Sequence, residues 1–260
     1  MDDPTPDPLL LESRDEGIVT LTLNRPRQYN ALSAGLLEKL GTTLDALAGD
    51  ESARVVVIAG AGQAFCAGHD LRELRSLGSR AEVEALFAAC STVMQKLVAS
   101  PLPVIAQVNG LATAAGCQLV AQCDLAVASA DARFAVSGVN LGLFCSTPAV
   151  ALSRNLGRKR AAEMLMTGEF IDAETALDWG LVNRIAPADR LAESVRELAR
   201  QLLAKPRATL ALGKALFYRQ LETGLGPAYA DASRTIACNF ADPAASEGIA
   251  AFLEKRAPRW

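Results

Sequence analysis

The chain has 260 residues, half of them apolar, with 21% charged side chains and a net charge of −3. That length suffices for one large core, or for a main domain with a helical appendage, and the scattered Lys and Arg offer no general surface for nucleic acid. A single histidine and six cysteines without a CxxC pair argue against a His/Cys metal centre and for reduced thiols in a cytoplasmic protein.

The opening, MDDPTPDPLL, is acidic and Pro-rich, unlike a secretory signal or an Arg-rich transit peptide. No apolar run approaches the roughly 20 residues of a membrane helix. GIVTLTLNRP starts as an alternating strand and stops at Pro26. Ser33 can cap a helix whose Leu36, Leu37, Leu40, Leu44 and Leu47 share one face. RVVVIAG, Arg54 to Gly60, is a β-branched run, as expected of a strand buried on both faces. Val83, Leu86, Phe87, Cys90, Val93, Met94, Leu97 and Val98 form the next helical stripe. PVIAQV and DLAVAS are two more buried strands, separated by a segment of small residues.

After about Gly157 the chain turns helical. RKRAAEMLMTGEF and DAETALDWG are expected as short helices, the second between an Asp172 cap and Gly180. Leu191, Val195, Leu198 and Leu202 mark another, and a further helix should run from about Pro206 to Leu221. The last is expected from Asp242-Pro243 to about Lys255. The fold class is α/β, divided into an α/β core over residues 1–190 and a C-terminal helical region over 191–260.

Familiar chemical motifs fail here. GAGQAF follows a strand, but Phe65 stands where GxGxxG has its third glycine, so a dinucleotide site is not expected. A Ser-His-Asp hydrolase would need His69, and no GxSxG elbow exists. What remains is a pair of small-residue segments, FCAGHDL and GLATAAGCQL, each following a strand. A helix opening at Ala114 to Gly116 would leave N–H groups unpaired at its positive end. One donor from each segment could make an oxyanion hole. Tight helix–sheet packing selects the same small residues, and the pattern alone favours that reading over an oxyanion hole.

Five stretches, taken in order, resemble the enoyl-CoA hydratase/isomerase (crotonase) family over nearly the whole chain. They are LNRPRQYNALS, VVVIAGAGQAFCAGHDLREL, PLPVIAQVNGLATAAGCQLVAQCDLAVAS, MLMTGEFIDAETALDWGLVNRI and EGIAAFLEKRAP. The resemblance implies a spiral of ββα units whose C-terminal helices build a homotrimer or a dimer of trimers. It implies an acyl-CoA thioester as partner, with coenzyme A arriving as part of the substrate, no separate cofactor, no nucleic acid and no membrane. Matched residue by residue, it puts the His69 and Ala115 N–H groups on the thioester oxygen and Ala67 near the adenine. Asp70 matches a family acid at a turn, read here as structural although it borders the substrate, as does Leu71. Arg72 matches a basic position lining the CoA site, Arg27 lies where CoA phosphates are met, and Lys255 belongs to the C-terminal helix that reaches the CoA.

The same matching exposes two losses. Gln118 stands where hydratases of the family carry a glutamate, and Gly138 stands where they carry a second. Gln can hold a water by hydrogen bonds but cannot exchange protons at ordinary pH, whereas hydration needs a carboxylate base and a carboxylic acid. Ordinary hydratase activity is therefore doubtful, and restoring both acids is expected to raise it. Should hydration nevertheless be fast, Glu73, Glu82 or Glu84 would be the acids to examine. The neighbouring loop is altered too, reading Leu143-Phe144-Cys145-Ser146-Thr147-Pro148. Ser137, Asn140, Cys145 and Ser146 are candidate polar groups of the pocket, although a structural role in a cap or turn is favoured for each. Three readings stand: an enoyl-CoA hydratase/isomerase-like enzyme of acyl-CoA metabolism acting through a stabilised enolate, a non-catalytic acyl-CoA-binding or regulatory protein, and a Cys-dependent acyl-CoA hydrolase using Cys145 or Cys117.

Overall fold

A computed structural model describes residues 7–260; most of the acidic, Pro-rich opening lies outside them. Strand β1 (Leu10–Asp15) runs antiparallel to β2 (Ile18–Leu23). Helix α1 (Ala34–Ala48) follows, with the Ser33 hydroxyl accepting from the Leu36 N–H and the expected leucines buried along one face.

From β3 (Val55–Gly60) onward the chain repeats one path: a strand in a large sheet, a short strand in a small sheet, then helix. β3 leads to β4 (Ala64–Cys66), α2 (Leu71–Ser76) and α3 (Arg80–Ala99). β5 (Val104–Val108) leads to β6 (Leu111–Thr113) and α4 (Ala115–Gln122). β7 (Leu125–Ser129) leads to β8 (Arg133–Ala135), a 3-10 turn at Ser137–Leu141, α5 (Ser146–Asn155) and α6 (Arg158–Thr167). Then come β9 (Ile171–Asp172), α7 (Ala173–Trp179) and β10 (Arg184–Ala186). The six-stranded sheet has the order β1-β2-β3-β5-β7-β10, parallel beyond the first pair, and the four-stranded sheet the order β4-β6-β8-β9, parallel until the last pair. This is the expected spiral of ββα units.

Burial explains the β-branched runs. Alternate residues of a strand face opposite sides, and both sides of β3 and β5 are covered. Val56, Ile58, Val104 and Ala106 join the main core with α1 and α3. Val55, Val57 and Ile105 meet Leu191, Val195 and Leu198 of α8 (Leu191–Leu203).

Beyond α8 lie α9 (Arg207–Leu221), α10 (Leu225–Phe240) and α11 (Pro243–Leu253). Nothing in the periodicity singles out α10, because Gly226 and Pro227 read as a break; both fall in its first turn, where the missing proline N–H is not needed. The last helix is shorter than expected. Lys255 lies outside it in a left-handed conformation, φ 55, and the Arg256 N–H closes the end by donating to Ala251 O at 3.0 Å.

One partly buried charge network ties α9 to the core. The Asp124 carboxylate accepts from Val104 N–H at 2.7 Å and from the Tyr218 hydroxyl at 2.8 Å. It also pairs with Lys214 Nζ at 2.7 Å. Lys214 Nζ in turn donates to Leu97 O and Leu102 O at 2.8 and 2.9 Å. Burial lowers the Lys214 pKa, against the opposing pull of Asp124, and raises that of the Tyr218 hydroxyl. Removing the carboxylate would strand a buried ammonium. Asp124→Ala is expected to cost about 3–5 kcal/mol of unfolding free energy in urea, against about 1.5–3 kcal/mol for Tyr218→Phe, which removes a hydrogen bond to a charged group. Equal losses from the two variants would show that the ion pair does not hold the joint.

Candidate active site

β4 and β6 are parallel neighbours, so the segments that follow them leave the small sheet side by side. The first, Ala67 to Asp70, is held from below: Ala67 N–H donates to Tyr29 O at 2.9 Å, Leu32 N–H to Gly68 O at 2.7 Å, and Asp70 N–H to Leu32 O at 3.1 Å. The second opens α4. The Thr113 hydroxyl donates to Ala67 O at 3.0 Å and locks the segments together. Their approach is close: a Cβ placed on Gly68, which sits at φ 91, would stand 2.9 Å from Ala114 Cβ and 3.2 Å from Ala115 N. Ala114 itself adopts φ 49, ψ −119. Such a conformation costs an L-residue on the order of 1–3 kcal/mol and persists only where its surroundings impose it. It makes the turn into α4, whose first N–H, at Ala115, has no helical acceptor. Among the described residues neither the His69 nor the Ala115 backbone N–H has a hydrogen-bond partner.

The His69 imidazole turns toward α3. Its ring centroid lies 4.6 Å from that of Phe87, and Nε2 is buried without a partner. Burial lowers its pKa to about 4, so the ring is neutral at physiological pH. Asp70 is fully engaged. It caps α2 by accepting from the Arg72 and Glu73 N–H groups, and it pairs with Arg25 at 2.8 Å. The Arg25 hydrogen bond is the largest of the effects that lower its pKa. Leu71 and Arg72 are exposed at the start of α2. Arg27 is exposed in the 3-10 turn Pro26–Gln28, and Lys255 is exposed beyond α11. No ion pair of these three cations occurs among the described residues.

Gln118 lies one turn into α4 and is only 3% exposed, yet its Oε1 has no partner among the described residues. Side chains on a helix lean toward its N-terminus, which here carries the free Ala115 N–H. Gly138 lies in the 3-10 turn after β8. A Cβ there would stand 2.5 Å from Leu143 O and 2.7 Å from Cys145 Sγ. No side chain fits at 138, and a thiol already borders that space. This overturns the expectation that both acids could be restored. Burial raises the Cys145 pKa, against a smaller opposing pull from the Gly138 backbone, and pushes Cys117 up to about 12.

The other loop candidates do not converge. Asn140 is exposed, with its amide beside Gly168, and the exposed Ser146 hydroxyl donates to Phe144 O. The three glutamates also have other work. Glu73 accepts from the Ala34 N–H at the start of α1, Glu82 from the Gly78 N–H and the Ser79 hydroxyl at the start of α3, and Glu84 pairs with Arg80. Two features escaped the sequence altogether: the contact of His69 with Phe87, and a buried, unpartnered Thr147 hydroxyl on α5. Neither has a local signal, since a stripe phenylalanine and a helix-start threonine are ordinary residues.

Residues 13–260 match the family model described as enoyl-CoA hydratase/isomerase. The enoyl-CoA hydratase domain-containing protein 3, mitochondrial, of Rattus norvegicus is 45% identical over 258 residues, covering 99% of this chain and 86% of that protein. A 2,3-dehydroadipyl-CoA hydratase of Escherichia coli strain K12 is 35% identical over 250 residues, covering 96% and 97%. Among solved structures, an enoyl-CoA hydratase of Mycobacterium smegmatis superposes with a TM-score of 0.96 at 60% identity, over 98% of this chain and 99% of that one. The human enoyl Coenzyme A hydratase domain-containing protein 3 does so with a TM-score of 0.94 at 45% identity, over 97% and 100%. With its spiral of ββα units and matches along almost its full length, the chain belongs to the enoyl-CoA hydratase/isomerase family, on the crotonase fold.

Proposed function

We propose that the chain binds an acyl-CoA thioester and polarises its carbonyl through the backbone N–H groups of His69 and Ala115. The observation that carries this is the pair of unpartnered donors on two segments locked together by the Thr113–Ala67 hydrogen bond. A developing oxyanion is the group such a pair serves best, and preorganised donors need no rearrangement as charge appears. Coenzyme A comes as part of the substrate, without a separate cofactor. Ala67 and Leu71 border it, and Arg27, Arg72 and Lys255 meet its phosphates as free surface cations. Residues 1–190 supply the site apart from Lys255. Residues 191–260 contribute the assembly surface of a homotrimer or dimer of trimers, supported by exposed apolar side chains such as Phe217, Tyr229, Phe240 and Phe252. The setting is the cytoplasm; free thiols suit it, though the mitochondrial relatives occupy another compartment. No helix among the described residues is long and apolar enough to cross a membrane.

Ordinary hydration is not the reaction this pocket favours. Gln118 cannot move protons, and position 138 has no room for a side chain. Each positioned acid or base is worth about 10²–10⁴-fold, so what remains is binding and oxyanion stabilisation with slow chemistry. This leaves the acyl-CoA-binding reading as a specific second reading. A thiol hydrolase is disfavoured, because its nucleophile is a thiolate and burial raises both Cys117 and Cys145.

Calorimetry with a short acyl-CoA panel tests the proposal directly. Binding is expected at low salt and should weaken as salt screens the phosphate contacts; no affinity for any acyl-CoA would refute it. At His69 the main chain is expected to matter. His69→Ala should retain binding, while His69→Pro, which removes the N–H, should impair it. In the native protein the imidazole should titrate by NMR near 4 rather than 6.5. Because the folded pKa lies below the ordinary one, stability should fall as pH drops from 6.5 toward 4. A midpoint near 6.5 would show that the ring is not buried. Crotonyl-CoA hydration should be far below the ordinary enzymatic range of about 1–10³ s⁻¹. Gln118→Glu alone should raise it modestly, and Gly138→Glu should fail to fold stably. Ordinary turnover by the natural chain would reveal another acid.

A further inference from the structure

The two backbone donors are fixed in different ways. The peptide that carries the Ala115 N–H has Ala114 O as its carbonyl, which accepts from Gln118 N–H at 3.0 Å, so α4 itself aims that donor. His69 N–H has no helix behind it. The carbonyl of its peptide is Gly68 O, which accepts from Leu32 N–H at 2.7 Å, and among the described residues no peptide bond is cis. In a trans peptide the C=O and N–H point in opposite directions, so the Leu32 bond sets where the His69 donor points. Asp70 N–H returns to Leu32 O at 3.1 Å, completing a bridge between Leu32 and His69, and Ala67 N–H donates to Tyr29 O at 2.9 Å. The residues that do this aiming, 29–32, lie between the 3-10 turn and α1, with no helix or longer strand to hold them.

What pins them is Asn30, whose side chain is 0% exposed. Its Oδ1 accepts from Arg25 N–H at 2.9 Å, and its Nδ2 donates to Ala61 O at 2.8 Å and to Ala64 O at 2.7 Å. Its own N–H donates to Arg25 O at 2.9 Å. The backbone sits at φ 56, a left-handed conformation that Asn tolerates better than most residues. One amide thus joins the entry of the loop to the connection between β3 and β4, and the loop passes that rigidity to residues 67–70. We infer that Asn30 is a positioning residue for carbonyl polarisation, holding the His69 N–H in the direction a bound thioester oxygen requires by way of Leu32. This rests on the thioester-binding reading given above. At 0% exposure Asn30 does not itself reach a ligand, so its effect passes entirely through the main chain.

The test compares butyryl-CoA with S-butyl-CoA, the thioether that lacks the carbonyl oxygen. Infrared spectroscopy of butyryl-CoA labelled at its carbonyl reads the donors directly, because hydrogen bonds to the oxygen lower the stretching frequency. The natural protein should lower that frequency on binding and favour the thioester over the thioether. Asn30→Ser, whose one short hydroxyl cannot span all three partners, should lose a large part of the shift. It should narrow the thioester preference by about fivefold, the worth of one neutral hydrogen bond, while S-butyl-CoA affinity stays within about threefold. A merely structural asparagine would weaken both ligands together. If serine does not fold, Asn30→Gly removes the side chain at a backbone angle that glycine adopts freely. A full shift in a folded variant, or parallel loss of both ligands, overturns the role of Asn30. Failure of both variants to fold overturns it too, since Asn30 would then belong to the scaffold alone. A natural protein that binds neither ligand, or binds butyryl-CoA without a carbonyl shift, refutes the thioester reading itself.

Discussion

The contact between the segments that follow β4 and β6 is the constraint on which the site depends. Pairing of those two strands brings the segments alongside each other, and the Thr113 hydroxyl on Ala67 O locks their separation. At that distance nothing larger than hydrogen fits at position 68, and Ala114 must take a conformation costly to an L-residue. The result is two main-chain donors, at His69 and Ala115, without acceptors among the described residues. Unpaired donors and a strained residue are liabilities in a scaffold. They are tolerated because the surrounding core is extensive.

The rest of the chemistry follows from how charge is distributed. Carboxylates near the site serve the scaffold: Asp70 holds Arg25 and caps α2, and Glu73 and Glu82 receive helix-start N–H groups. On α4 and at the start of α5 stand two neutral groups, an amide at Gln118 and a thiol at Cys145. Family membership therefore settles the architecture more firmly than the reaction, since one fold hosts many activities.

Gly138 shows why substitution at a matched position is not a simple swap. In the sequence it is an absent side chain, as if a glutamate could be returned. In three dimensions Leu143 O and Cys145 Sγ occupy the space a Cβ would need. The loop from Leu143 to Pro148 and the residue at 138 form one packed unit, so the lost acid and the altered loop are a single change.

Local pattern alone determined the elements. The leucine stripe of α1 with its Ser33 cap, the β-branched runs of β3 and β5, and the Asp172 and Gly180 limits of α7 are properties of a few neighbouring residues, and each was legible without coordinates. The small-residue segments around His69 and Ala115 were legible as a pattern, although packing would have produced the same letters. Tertiary structure decided the rest, because the relevant partners lie far apart in sequence. Asp124 meets Lys214 across 90 residues of chain, Phe87 meets His69 from another helix, and Cys145 Sγ blocks position 138 across a turn. α10 and the early end of α11 depend on how a helix starts and stops, where a Gly-Pro pair and a left-handed Lys255 defeat periodicity. Hydrophobic spacing encodes which face is buried; which polar atoms then meet is set only when distant segments pack.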